Sequence, residues 1–351
     1  MIGKLYCARR PLVLFLAFLT FAGPARCFAP SENDSDPAPP GRLTDLGGYR
    51  LHMNVSGAGG PAVVLIAGAG DHSFDWALVQ PAVSKFTRVC SYDRAGFAWS
   101  DPGPTPRTMK QEAFELRLLL RKAGIKPPYV LVGHSLGGLV ARIYAEQFPT
   151  EVAGIVFVDS THEDTVLSLN GKLTHMRELA KDVPIPPVQT MKSSPPKPPM
   201  EEDKKQAEQN TAIFGPPKIG PPFDKLPPEV QKLRLWALSH PKLTAAADTF
   251  LAEELQGLYL ARMKTRCPFG DRPLITLVGM AEPIPGPETE EMKRLWEEKR
   301  QQKAGLVSLS RNSKCIFADK SGHHVQLDEP ELVVAAIRGV VAAVRHHKRL
   351  N

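Results

Sequence analysis

Six short, largely apolar runs constrain this chain more than any other feature. They are Ala62–Ala67, Arg88–Tyr92, Tyr129–Val132, Gly154–Val158, Leu274–Val278 and Lys314–Ala318. A run that is apolar without alternation reads as a strand buried on both faces, whereas a strand with one wet face would alternate. Helical patterns occupy the intervals. Gln111–Ala123 places Ala113, Phe114, Leu116, Leu118 and Leu120 at mixed three- and four-residue spacing and stops at Gly124, a residue suited to the left-handed turn after a helix. Leu136–Phe148 and Glu331–Val344 follow the same pattern. Strand and helix in alternation predict an α/β chain, a mostly parallel, doubly wound sheet with helices on both faces. Upstream, Arg50–Val55 alternates in side-chain character and is expected to form an antiparallel edge hairpin.

The alternation breaks between Asp164 and Cys267. Of the 34 prolines in 351 residues, thirteen fall between Pro184 and Pro228, with the charged stretch Glu201–Glu208 among them. Helical patterns return at Pro228–Ser239 and Thr244–Met263, where Leu233, Leu235, Trp236, Phe250, Leu251, Leu255 and Leu258 need a surface to cover. About a hundred residues without strands, set between two strands, read as a helical, Pro-rich cap inserted over the sheet edge. The expected organisation is a core in two parts, residues 41–163 and 268–351, with residues 164–267 as the cap or lid.

The amino terminus carries Lys4, Arg9 and Arg10, then the apolar Leu12–Leu19, then small residues at Ala22, Gly23 and Ala25. That order marks residues 1–29 as a signal peptide, cut after Ala25 or Ala29, and predicts a secreted or periplasmic protein. Left uncleaved, the same segment would tether the protein to a membrane. Residues 30–40, acidic and Pro-rich, are expected as a disordered spacer. The net charge of +7 comes from 44 Lys and Arg scattered along the chain, with one dense cluster, Arg345–Arg349, at the end. Nucleic-acid binding needs a clustered basic footprint, so no such partner is expected. Five cysteines are too few for a disulfide scaffold. Cys267, shortly before the strand Leu274–Val278, and Cys315, at the start of Lys314–Ala318, either pair or remain separate buried thiols, while Cys90, inside a strand, is packing.

The chemistry concentrates in Gly133-His134-Ser135-Leu136-Gly137, which follows the strand Tyr129–Val132 and opens the helix Leu136–Phe148. A serine on so sharp a strand-to-helix turn needs small residues two before and two after it. The turn lifts its hydroxyl above the sheet beside a helix N-terminus, where backbone N–H groups face developing negative charge.

Together with Ala67-Gly68-Ala69-Gly70, Ser91–Ser100 and Ser321-Gly322-His323, this pentapeptide resembles the α/β-hydrolase superfamily, in its cap-bearing, esterase-like fold-1 branch, from about Gly47 to Val344. The resemblance implies a serine nucleophile at Ser135 and a base on the loop after the last strand. Gly322-His323-His324 offers two histidines, and the one directly after glycine, His323, matches the pattern that continues into Leu327-Asp328-Glu329-Pro330. Of the other histidines, His52 and His72 are expected at the surface or in loops, and His134 beside the nucleophile. The third member is Asp159, at the end of Gly154–Val158, or Glu282, in the turn Gly279-Met280-Ala281-Glu282-Pro283. The oxyanion hole would use the amides of Leu136 and Ala69, with Gly70 as the alternative second donor. Asp93 and Arg94 are structural in such a turn. The implied activity is carboxylic ester hydrolysis through an acyl-enzyme, with no metal or organic cofactor and a small-molecule ester as substrate. A peptidase, an acyltransferase or a binding module that has lost turnover would use the same residues. Relatives that open epoxides or cleave haloalkanes form an ester on aspartate, so serine at position 135 argues against those reactions.

Overall fold

The computed structural model describes residues 36–104, 107–169, 172–179, 216–239, 252–281 and 289–350. The expected signal segment 1–29, part of the spacer, and Glu282 lie outside the described residues.

Of the six apolar runs, the last, Lys314–Ala318, is an edge strand buried only at Ala318, and the other five form the interior of one eight-stranded sheet. Its strands are β1 (Arg42–Asp45), β2 (Arg50–Ser56), β3 (Ala62–Ile66), β4 (Val89–Tyr92), β5 (Tyr129–His134), β6 (Val152–Val158), β9 (Leu274–Gly279) and β10 (Ser313–Ala318), in the spatial order β1-β2-β4-β3-β5-β6-β9-β10. β1 and β2 pair antiparallel, β2 joins β4 antiparallel, and every pairing from β4 to β10 is parallel. This is the doubly wound α/β sheet expected from the sequence. β3, β4 and β5 are buried along their whole length, which is why their sequences do not alternate.

Helices cover both faces. The Met109–Lys122 helix begins where Thr108 accepts a hydrogen bond from the Gln111 amide, and it ends before Gly124, whose φ is +72°. The Pro330–His346 helix lays Val333, Ala336, Ile337, Val340 and Val341 on Val130, Val132, Val156, Val158 and Ile275. That approach is close enough that a Cβ at Gly154 would stand 2.5 Å from Val340 Cγ1.

Three features depart from the sequence reading. First, the stretch expected to be free of strands holds a two-stranded antiparallel hairpin, β7 (Val166–Leu169) with β8 (Lys172–His175). Its strands have four residues each, too few to show a period. Second, a helix over Glu290–Ala304 lies between β9 and β10. None of its side chains is fully buried, so it has no apolar stripe to read; the Thr289 cap and the glutamates of its first turn define it instead.

Third, His52, expected at the surface or in a loop, is wholly buried within a strand, and His72, which does lie in a loop as expected, is wholly buried there. His52 sits within β2, with Nδ1 2.7 Å from Asp93 Oδ2, so a local carboxylate compensates the buried ring. His72 precedes the turn Ser73–Trp76 and stacks on Phe74 at 4.8 Å. Both lie under the Pro228–Leu238 helix, whose Val230, Leu233, Trp236 and Ala237 pack on Phe74, Ala98 and Trp99. The segment between β6 and β9 is fastened further by Glu254, which accepts from the amides of Met109 and Lys110 and so caps a core helix. Cys267 and Cys315 are separate, half-buried thiols. Among the described residues no helix is long and apolar enough to cross a membrane.

Candidate active site

Ser135 stands between β5 and the Leu136–Gln147 helix with φ +51° and ψ −119°. A non-glycine residue in that region is strained, and the surroundings must hold it there. The Ser135 amide donates to Val158 O at 3.2 Å, the Thr161 amide donates to Ser135 O at 3.1 Å, and Ser160 Oγ donates to Gly133 O at 2.7 Å. The flanking glycines are a steric requirement. A Cβ at Gly133 would meet Gly137 O at 2.5 Å, and one at Gly137 would meet Ile66 O at 2.3 Å.

The fold brings His323 to this hydroxyl. Its Nε2 lies 3.0 Å from Ser135 Oγ, and its Nδ1 lies 2.6 Å from Asp159 Oδ2. Three strand ends therefore converge: Ser135 follows β5, Asp159 follows β6, and His323 lies on the loop after β10. The His323 loop is braced by the acids that follow it. Asp328 accepts from the Gly322 amide at 3.0 Å, and Glu329 accepts from Ser321 Oγ at 2.7 Å and the Lys320 amide at 3.0 Å. From the other side, the Ala281 amide donates to Ser321 O at 2.8 Å. Asp159, with φ +43°, is 1% exposed. Its Oδ1 accepts from the Gly279 amide at 3.0 Å, and its Oδ2 also receives the ammonium of Lys303.

The electrostatics suit proton transfer. Burial works against the Asp159 carboxylate, but Lys303 and the hydrogen bond from His323 overcome it and hold the carboxyl well below the usual range. Burial is also the main influence on His323, with the neighbouring His134 and Lys303 acting in the same direction; together they outweigh Asp159 and lower the imidazole to about 4. A neutral imidazole with Nδ1–H donated to Asp159 leaves Nε2 as the acceptor for the serine proton.

A second Asp–His pair flanks the serine. His134 Nδ1 lies 3.0 Å from Asp71 Oδ2, and His134 Nε2 donates to the carbonyl of His323 at 2.9 Å. His324 Nε2 is 3.7 Å from the same Asp71 oxygen. Burial works against the Asp71 carboxylate, yet His324 and His134 hold it well below its ordinary value. The ligating atoms of Asp71, His134 and His324 lie within 4.8 Å of one another, a donor set able to hold a cation. The guanidinium of Arg234 also stands 3.6 Å from Asp71, so donors and a cation of the chain itself already match its charge.

Arg94 shapes the loop after β3. It donates to Ala67 O at 2.7 Å and to Gly68 O at 2.8 Å. Because a trans peptide points its N–H opposite to its C=O, anchoring Gly68 O turns the Ala69 N–H away from Arg94. Asp93 accepts from the Ser73 amide at 2.7 Å and binds His52, so both residues of this turn hold backbone in place.

This topology, with a strained serine at a strand-to-helix turn and a histidine on the loop after the last strand, coincides with a family match across residues 63–336. The chain belongs to the alpha/beta hydrolase family. An AB hydrolase superfamily protein of Gibberella zeae is 26% identical over 304 residues, covering 81% of this chain and 87% of its own. Among solved structures, the epoxide hydrolase CorEH superposes with a TM-score of 0.57 at 17% identity, covering 87% of this chain and 99% of that one. A thermophilic esterase from Thermogutta terrifontis gives a TM-score of 0.54 at 22% identity, covering 84% and 94%. At these identities the two structures share the alpha/beta hydrolase fold with this chain.

Of the residues singled out from the sequence, Ser135, His323 and Asp159 meet in one hydrogen-bonded line, while Leu136 and Ala69 border the serine loop. Sequence reasoning missed Lys303, Arg234 and Asp71. Lys303 sits among many charges on a helix without periodicity, and nothing local separates it from a solvated lysine. Asp71 carried one signal, its place directly after Ala67-Gly68-Ala69-Gly70.

Proposed function

We propose that the protein is a serine hydrolase of carboxylic esters. The observation that carries this reading is the continuous line Asp159–His323–Ser135, with contacts of 2.6 and 3.0 Å at the C-terminal rim of the sheet. Ser135 Oγ attacks the ester carbonyl as His323 Nε2 takes its proton. The tetrahedral oxyanion is received by the Leu136 and Ala69 amides. His323 then returns the proton to the leaving alcohol, and a water activated by the same imidazole releases the acid and frees Ser135. Serine rather than aspartate at position 135 favours ester over epoxide chemistry, although an epoxide hydrolase shares the fold. Residues 164–267 act as the cap that sets acyl and alcohol size, and residues 1–29 export the chain.

The test is covalent labelling. A fluorophosphonate should mark Ser135 in the wild-type chain, peptide mapping should place the adduct there, and Ser135→Ala should remain unlabelled. Turnover of p-nitrophenyl esters well above that of aminoacyl amides supports the ester reading, and the reverse order makes the protein a peptidase. Labelling without turnover of either would mark a binding protein.

A further inference from the structure

Asp159 carries three donors, and two of them share one oxygen. Gly279 N holds Oδ1, while His323 Nδ1 and the Lys303 ammonium both lie on Oδ2. We infer that Lys303 is a positioning residue for the Asp159–His323 pair, fixing by its ion pair the carboxylate oxygen that receives the imidazole N–H and thereby setting the acid limit of turnover. This inference rests on the triad reading above.

Lys303 does not reach the site by accident. Its helix, Glu290–Ala304, is pinned to the sheet and to the β7–β8 hairpin at neighbouring positions. Arg300 donates to Met280 O at 3.0 Å, while Gln302 donates to Asp164 O and accepts from the Val166 amide at 3.2 Å. With the helix so placed, the Lys303 side chain is only 16% exposed and ends on a carboxylate that is itself buried. A lysine in the last turn of a helix is normally free to complement the terminal carbonyls from solvent.

The consequence follows from charge. When His323 takes the serine proton, the imidazolium and the ammonium share one carboxylate oxygen, so Asp159 stabilises the imidazolium less than it would alone. Among the described residues, His323 is also faced by His134 from the end of β5, His324 beside it in the chain, and Ser135. Lys299, one turn before Lys303, is also affected: burial, with the charge of Lys303, lowers its ammonium. Protonation of His323 is thereby disfavoured, and Lys303 adds to the larger effect of burial in the same direction. The same ion pair keeps Asp159 charged and oriented whichever form His323 takes.

The experiment compares the pH dependence of kcat/KM for a p-nitrophenyl ester in the wild-type chain, Lys303→Met and Lys303→Arg. The acid limb should move upward by about one pH unit in Lys303→Met, since a like charge at this range disfavours the imidazolium and its removal raises the pH at which His323 takes up a proton. Lys303→Arg should restore the limb towards the wild-type position. A Lys303→Met limb that stays in place while the plateau falls would show a merely structural lysine and overturn the inference. Should Lys303→Met fail to fold, Lys303→Gln takes its place with the same readout, and an acid limb left at the wild-type position overturns the inference. Failure of the triad reading looks different: the wild-type chain itself would neither turn over esters nor take the fluorophosphonate label.

Discussion

Two Asp–His pairs stand on either side of Ser135, and their chemistry differs only in where the second ring nitrogen points. In Asp159–His323 that nitrogen faces the serine hydroxyl at 3.0 Å. In Asp71–His134 it donates to the backbone carbonyl of His323 at 2.9 Å. The first imidazole presents its second nitrogen to a hydroxyl that can give up a proton, and the second has its nitrogens committed to a carboxylate and a carbonyl. A histidine on a carboxylate is therefore not a base by composition. It becomes one when its remaining nitrogen meets a group that can give up a proton. The second pair instead holds the main chain of the first, so the two are linked through one carbonyl. A third pair, Asp93–His52, lies entirely inside the protein.

This contrast predicts a graded response to neutralising each acid. Asp159→Asn should cost the most, about 10⁴-fold in kcat, because the asparagine cannot enforce the tautomer or stabilise the imidazolium. A loss under tenfold in steady-state ester hydrolysis would remove Asp159 from the mechanism and return attention to Glu282. Asp71→Asn should cost about a hundredfold or less, through loosened placement of the His323 loop, with fluorophosphonate labelling slowed but retained. If it matched Asp159→Asn, the two pairs would not be functionally distinct. Asp93→Ala should barely change turnover per labelled molecule at 25 °C. It strips the buried His52 ring and the Ser73 amide of their acceptor, so it should cost about 2–5 kcal/mol of stability, read as a fall of several degrees in Tm by calorimetry.

Much of this was legible in the chain because it was encoded locally. Ala62–Ala67 and Tyr129–Val132 announced buried parallel strands, since a strand covered on both faces has no reason to alternate. The serine turn was visible because sterics demand glycine on both sides of Ser135. His323 was marked by the residues behind it, and Asp328 and Glu329 turn out to bind the backbone of its own loop. Where a role depends on a distant partner, the local signal failed. The alternation of β2 gives no sign that His52 is buried, yet a helix nearly two hundred positions away packs on the neighbouring Trp99. The Glu290–Ala304 helix left no periodic trace, having no fully buried side chain.

The sequence alone determined the order of the six core strands and three of the helices between and after them, the strained turn at Ser135 and the two loops from which a base and an acid had to come. Only the folded chain decided which carboxylate met which imidazole. Strand register places residues 135, 159 and 323 at one rim of the sheet, and that register is a property of the whole sheet. Likewise, that a lysine from an unremarkable charged helix would share the oxygen of Asp159 follows from how the helix docks, because an ion pair depends on distances that no run of neighbouring residues can specify.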